Sequence, residues 1–222
     1  MGGGPNKRVL LAMVMLSLFG CGRDDASPPP ATHVQGGQEQ EAQAAARRAK
    51  TRAEARALPQ AQREAFFHAI EAGEALTVQQ MLDRQPLLLE ASIAKFDQGT
   101  PLIATAWTNQ PTVASVLIAR GADLEAQDDQ RRATALSWAG YWGSPEVAKL
   151  LIDAGAKVNH ADAQGVTPLT HTLQGMKDAP GRATPRERNT ARELIVQHGG
   201  VERDGNAEKQ KTEETQRIDA AP

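Results

Sequence analysis

The sequence predicts an all-α solenoid of about four helix-turn-helix repeats joined by short turns. Three observations carry that expectation. Gly99-Thr100-Pro101-Leu102, Ala133-Thr134-Ala135-Leu136 and Val166-Thr167-Pro168-Leu169 are variants of one tetrapeptide, and their leucines recur with a period of about 33 residues. Downstream, residues 116–124 (VLIARGADL) are matched by residues 150–158 (LLIDAGAKV), and Gly121 and Gly155 keep that same period. Val113, Val116 and Leu117, like Val147, Leu150 and Leu151, recur at i, i+3 and i+4, the spacing of one helix face. Two motifs that keep one period describe stacked units, each burying its apolar face against the next.

Each part of the unit follows from local chemistry. Thr100 and Thr167 are placed to cap the first helix with their hydroxyls. Pro101 and Pro168 suit a first helical turn, where no N–H partner is lost. Leu102, Leu136 and Leu169 point inward. Gly121 and Gly155 end the second helix in the left-handed conformation that glycine adopts at low cost. Residues 123–128 and 157–162 then run out into the turn between units. T-P-L followed by L-L-x-x-G-A at this period resembles the ankyrin repeat, over roughly residues 62–200. The resemblance implies a concave face lined by the first helices, with the inter-repeat turns projecting as fingers, and a protein as ligand.

The ends of the array depart from the pattern. Ala65-Phe66-Phe67-His68-Ala69-Ile70-Glu71-Ala72-Gly73, with Val78, Met81 and Leu82, reads as a degenerate first repeat, as expected of a unit that covers one end. In the last repeat Leu169 and Leu194 stand much further apart than Leu136 and Leu150 do in the repeat before it. The surplus falls around residues 175–186, where Pro180, Gly181 and Pro185 predict a surface loop. Gly199-Gly200 closes the last helix. The repeat domain is set at residues 59–201, with a polar, disordered tail over residues 202–222.

The amino terminus carries a different message. Lys7 and Arg8 precede an apolar run over residues 9–19, which ends at Gly20-Cys21. This is the layout of a secretory signal over residues 1–20, too short for a spanning helix. Leu18-Phe19-Gly20-Cys21 resembles the lipobox of bacterial lipoproteins. That resemblance implies that Cys21, the single cysteine of the chain, becomes the acylated first residue of a membrane-tethered protein facing the periplasm. Gly22, where the family's inner-membrane proteins carry Asp, favours the outer membrane. Residues 21–58 then form the lipidated terminus and a linker. Ser27-Pro28-Pro29-Pro30 is stiff, and the Ala-, Glu-, Gln- and Arg-rich residues 38–58 favour a solvated helix.

Composition narrows the function. The net charge of -2 offers no basic field for nucleic acid. The five histidines are scattered, with no H-E-x-x-H, G-x-S-x-G or phosphate-loop motif. Neither an enzyme, a cofactor, a metal site nor a small-molecule substrate is expected. Aromatic residues make up only 4% of the chain, and Trp107, Trp138, Tyr141 and Trp142 all fall on first helices. Trp107 and Tyr141 stand one period apart, as do Trp138 and His171. Large aromatics dominate binding hot spots, so these five residues are the expected partner-binding patch. Asp128, Asp129, Arg131 and Arg132 on the finger supply its polar rim. Truncating Trp138 and Trp142 is expected to abolish capture at little cost in stability; the alternative is that the rings fill gaps between helices. The expected partner is a protein of the cell envelope. The expected role is that of an adaptor supporting an envelope enzyme, or alternatively of an immunity protein that blocks a toxin delivered to the periplasm.

Overall fold

In the computed structural model, residues 35–178 and 183–204 are described. Cys21 and the signal segment lie outside them, as do residues 205–222. The chain divides into two units. Of the first, Met1–Glu41, the described residues 35–41 are helical. The second, Ala42–Pro222, holds the rest of α1 (Gln35–Arg56) and the repeat array.

Among the described residues the array consists of four helix pairs: α2 (Gln60–Glu71) with α3 (Ala75–Arg84), α4 (Pro101–Thr108) with α5 (Pro111–Ala119), α6 (Ala135–Trp142) with α7 (Pro145–Asp153), and α8 (Pro168–Asp178) with α9 (Pro185–Gln197). First helices pack on first helices (α2, α4, α6, α8 in order), and second helices do the same. Among the described residues no helix is long and apolar enough to cross a membrane.

Leu102, Leu136 and Leu169 are buried at corresponding places, as the period requires. On α5 the buried set is Val113, Ala114 and Leu117, and on α7 it is Pro145, Val147, Ala148, Leu151 and Ile152. Val116 and Leu150 are half-buried and pack at the edge of the core.

Pro101, Pro111, Pro145 and Pro185 all sit in first helical turns. Gly121 (φ 80°) and Gly155 (φ 92°) are left-handed. The next amides, of Ala122 and Ala156, bond back to the Leu117 and Leu151 carbonyls at 3.1 and 3.0 Å, closing each second helix.

The capping expectation needs correction. Thr134 caps α6 by accepting from Ser137 N, whereas the Thr100 side chain makes no cap bond at α4. The Thr167 hydroxyl instead donates to the Val201 carbonyl at 2.6 Å.

Two boundaries also move. α8 has 11 residues where α4 and α6 have 8, so Gly175–Asp178 of the expected loop is helix, and Pro185 already begins α9. A Cβ at Gly175 would fall on the Tyr141 carbonyl oxygen, which is why a glycine lets the longer α8 pass so close to α6. The array also runs beyond residue 201. Thr167 N donates to Arg203 O at 3.2 Å, Arg203 N to Thr170 Oγ1 at 2.9 Å, and Val166 bridges Asp204. Residues 202–204 therefore cover the last finger rather than beginning the tail.

Candidate functional site

The fingers are built on two aspartates that stand one repeat apart. Asp128 accepts hydrogen bonds from the amides of Gln130 (2.9 Å), Arg131 (2.6 Å) and Ala133 (3.0 Å), which folds the finger back on itself. Its second oxygen takes a further bond from Trp138 Nε1 at 3.0 Å. Asp162 repeats the arrangement, accepting from Gln164 N (2.8 Å) and Val166 N (2.9 Å), with His171 Nε2 at 3.1 Å. These two fingers are thus each fastened to the first helix that follows them by a ring nitrogen. Burial by itself raises the Asp162 carboxyl. The bonds from His171 and from the Val166 and Gln164 amides outweigh it and hold the group below the usual carboxylate range.

Neighbouring fingers also bond to each other. Asp129 N donates to Asp97 O at 3.1 Å, and Ala163 N to Arg131 O at 2.8 Å. On the other side of the core, Gln110 Nε2 reaches Glu71 O (2.9 Å) and Ser144 Oγ reaches Ala106 O (2.8 Å), each residue just ahead of a second helix. These cross-links fix each repeat to the one before it.

The aromatic residues form a ladder through the array. Phe67 stacks on Phe96 (5.6 Å between centroids), Phe96 meets Trp107 edge-on (5.4 Å), Trp107 packs on Trp138 (4.7 Å) and Trp142 (5.4 Å), and Tyr141 contacts His171 (6.4 Å). Trp138 is 3% exposed, Tyr141 7%, His171 1% and Asp128 2%. These four are core, and the expectation that they present a surface is corrected. Neighbouring helices cover the rings, and the finger's own amides surround the carboxylate. Burial, then the nearby Asp178 carboxylate, pushes the Tyr141 phenol above its usual range, so it remains a donor to Asp178 at 3.4 Å.

What faces outward is narrower. Trp107 and Trp142 are half-buried and Arg132 is exposed. Arg131, half-buried, lies over the Trp138 and Tyr141 rings at 5.5 and 5.7 Å, a cation–π arrangement that holds the finger's guanidinium against the helix. Asp129 is engaged by Arg56 at 2.8 Å. A groove of about 470 Å³ in the angle between α2 and the first finger adds a region that the aromatic pattern did not indicate. Phe67 and Ile93 line it, and Glu71 and Lys95 cross it as an ion pair at 2.6 Å. The signal for it in the sequence is the i, i+3/i+4 series Gln60, Arg63, Glu64, Phe67, His68 and Glu71 on one helix face. Among the described residues no group of three or more His, Cys, Asp or Glu side chains is placed to hold a metal ion.

Comparison with known proteins agrees with this architecture. The ankyrin-repeat family model matches residues 131–163, from one finger to the next. An ankyrin repeat and SAM domain-containing protein of Rattus norvegicus is 32% identical over 102 residues, 46% of this chain and 11% of that protein. An ankyrin repeat-containing protein of Treponema pallidum is 37% identical over 101 residues, 44% of this chain and 34% of its own length. The NF-kappa-B inhibitor delta of Mus musculus is 33% identical over 95 residues, 41% and 29% of the two chains. The matched segments thus span about a tenth to a third of these relatives. The helix pairs, left-handed glycine caps and projecting fingers form an all-α ankyrin-repeat solenoid.

Proposed function

We propose that this solenoid is a non-enzymatic protein-binding module, tethered by lipid at Cys21 to the periplasmic side of a bacterial membrane, preferably the outer one. It acts there on an envelope protein. The observation that carries the binding reading is the cross-bonded finger array. Finger is bonded to finger and each aspartate to a ring nitrogen of its own first helix, so little conformational entropy is lost on association. One relative is named as an inhibitor of another protein, which fits such a role. The tether rests on the lipobox-like sequence alone.

The partner-facing residues we assign are Trp107, Trp142, Arg131 and Arg132, with Asp129 at the rim. Trp138, Tyr141, His171 and Asp128 support them from beneath. The test is affinity capture from envelope extracts with the wild-type chain and with a Trp142→Ala, Arg132→Glu variant. A protein held by the wild type and lost by a variant that melts within a few degrees of it supports the assignment. Equal capture by both refutes it. The identity of the captured protein, an envelope enzyme or a toxin, separates the adaptor role from immunity. Cys21→Ser is expected to move the protein from the membrane to the soluble fraction, and unchanged membrane fractionation would end the anchoring reading.

A further inference from the structure

Helix α1 touches the repeat array in an unusual way for a packed helix. Among its described side chains the one buried residue is Ala55. Its attachment is electrostatic instead. Arg48, Arg52 and Arg56 lie at i, i+4 and i+8, on one face. Arg48 pairs with Asp123 at 3.2 Å, Arg52 bridges Glu90 and Asp123 at 3.2 and 3.3 Å, and Arg56 meets Asp129 through two bonds of 2.9 and 2.8 Å. Glu90 and Asp123 are largely sheltered, and Asp129 lies at the finger tip. Glu90 follows α3, and Asp123 and Asp129 both belong to the connection between α5 and α6; the three form a strip whose spacing matches three arginines on successive helical turns. A groove of about 490 Å³ runs beside Glu90 and Asp123, with Leu89 and Leu124 in its wall.

We propose that this acidic strip is a docking surface for an arginine-bearing helix, with α1 as its built-in occupant, so that a partner helix carrying arginines at i, i+4 and i+8 displaces α1. The strip meets the partner-facing residues proposed above at Asp129 alone; Glu90 and Asp123 lie outside that set. Its chemistry is set by what it already holds, since charge complementarity selects the partner and apolar burial adds little. The attachment is also releasable. Exposed ion pairs contribute little net stability and are screened by salt. Burial, together with the neighbouring Asp123 charge, holds the Glu90 carboxyl above its usual range despite the Arg52 guanidinium, so the pairing does not fully offset what the site costs that carboxylate. Once α1 leaves, Glu90, Asp123 and Asp129 are free to receive the competitor beside Leu89 and Leu124.

Hydrogen exchange on the full chain tests this. The probe is an isotopically heavy synthetic peptide of residues 42–58, used at about 5 mM to exceed the roughly millimolar effective concentration of a tethered segment. The control is a peptide of the same composition, reordered so that the three arginines no longer share a face. At low salt the heavy peptide should speed exchange across residues 43–56 roughly tenfold, with the repeat helices unchanged, and the control peptide should not. Salt at about 0.5 M should reproduce the release. An α1 equally protected in all conditions overturns the proposal. Release by salt or by both peptides alike, without a preference for the one-faced arginines, overturns the docking assignment and leaves the ion pairs as a fastening only. In an Asp123→Asn, Glu90→Gln chain, α1 should exchange fast without any peptide; protection kept there also overturns it.

Discussion

The indole N–H of Trp138 donates at 3.0 Å, inside the core, to Oδ2 of Asp128, which stands earlier in the chain at the base of the finger. The same carboxylate holds three amides of the finger. One side chain therefore folds the finger and ties it to α6. His171 and Asp162 make the same tie one repeat later. In the preceding repeat, Ala94 and Ala104 occupy the corresponding positions, so both halves of the tie are missing together.

Removing the carboxylate should be costly. Asp128→Ala leaves three amides and an indole N–H without their acceptor, and each buried unsatisfied group costs about 1–3 kcal/mol. Some amides will recover water, so we expect a loss of about 3 kcal/mol. Trp138→Phe keeps most of the ring contacts and removes one of the two bonds to Oδ2, which Ala133 N still satisfies, for about 1 kcal/mol. Trp138→Ala should lose about 3–5 kcal/mol as a core cavity forms. Urea unfolding at fixed pH measures all three. A Trp138→Ala variant as stable as wild type would return the ring to the surface.

Acid should weaken the last finger through Asp162. Its folded-state carboxyl titrates below the ordinary value of 3.8. A lowered pKa gives stability that is fully present above the unfolded value and is lost as pH falls through the folded one. Asp162 therefore contributes fully at neutral pH and loses that contribution below about pH 4. Asp97, raised by burial and then by the charge of Asp128, has the opposite sign. Denaturant midpoints between pH 7 and pH 2.5 should fall less steeply in Asp162→Asn than in the wild type, from a lower starting stability. Parallel curves would remove Asp162 as the source.

Gly175→Ala places a methyl group on the Tyr141 carbonyl oxygen, backbone against backbone, where no side chain can swing aside. α8 must move away from α6. Overpacking of this kind costs about 1–3 kcal/mol, and here the upper end is expected. A thermal melt of the variant gives the result, with little change in Tm as the contrary outcome.

Arg132 has φ 57°, in the left-handed region, where Gly165 sits one repeat on. A side chain there costs about 1 kcal/mol relative to glycine. Arg132→Gly should raise stability by about 0.5–1 kcal/mol while weakening partner capture, because the guanidinium is lost. Strain retained at an exposed finger tip is consistent with a binding role. Higher stability with undiminished capture would free Arg132 from that role.

Much of the fold was legible because its signals are local. Proline in a first turn, glycine at a helix end and a leucine once per repeat each act within a few bonds of where they stand. The candidate site was less legible. Trp138 and Trp142 are neighbours on one helix, yet the first is core and the second half-buried. Helical spacing gives the angle between two side chains but not which of them the adjacent repeat covers. A signal for Trp138 was nevertheless present. Asp128 with Trp138, and Asp162 with His171, pair a carboxylate with a ring N–H donor at nearly the same separation in two repeats.

By itself the sequence determined the repeat unit, its period and the glycine-closed ends of α5 and α7, since these depend on backbone preferences and short-range hydrogen bonds. Only the tertiary structure decided which aromatic rings are buried, that α1 is fastened by Arg48, Arg52 and Arg56, and that residues 202–204 cover the last finger. Each of those outcomes joins residues dozens of positions apart. Burial and ion pairing depend on what the stacked neighbours bring alongside, and one-dimensional spacing does not contain that information.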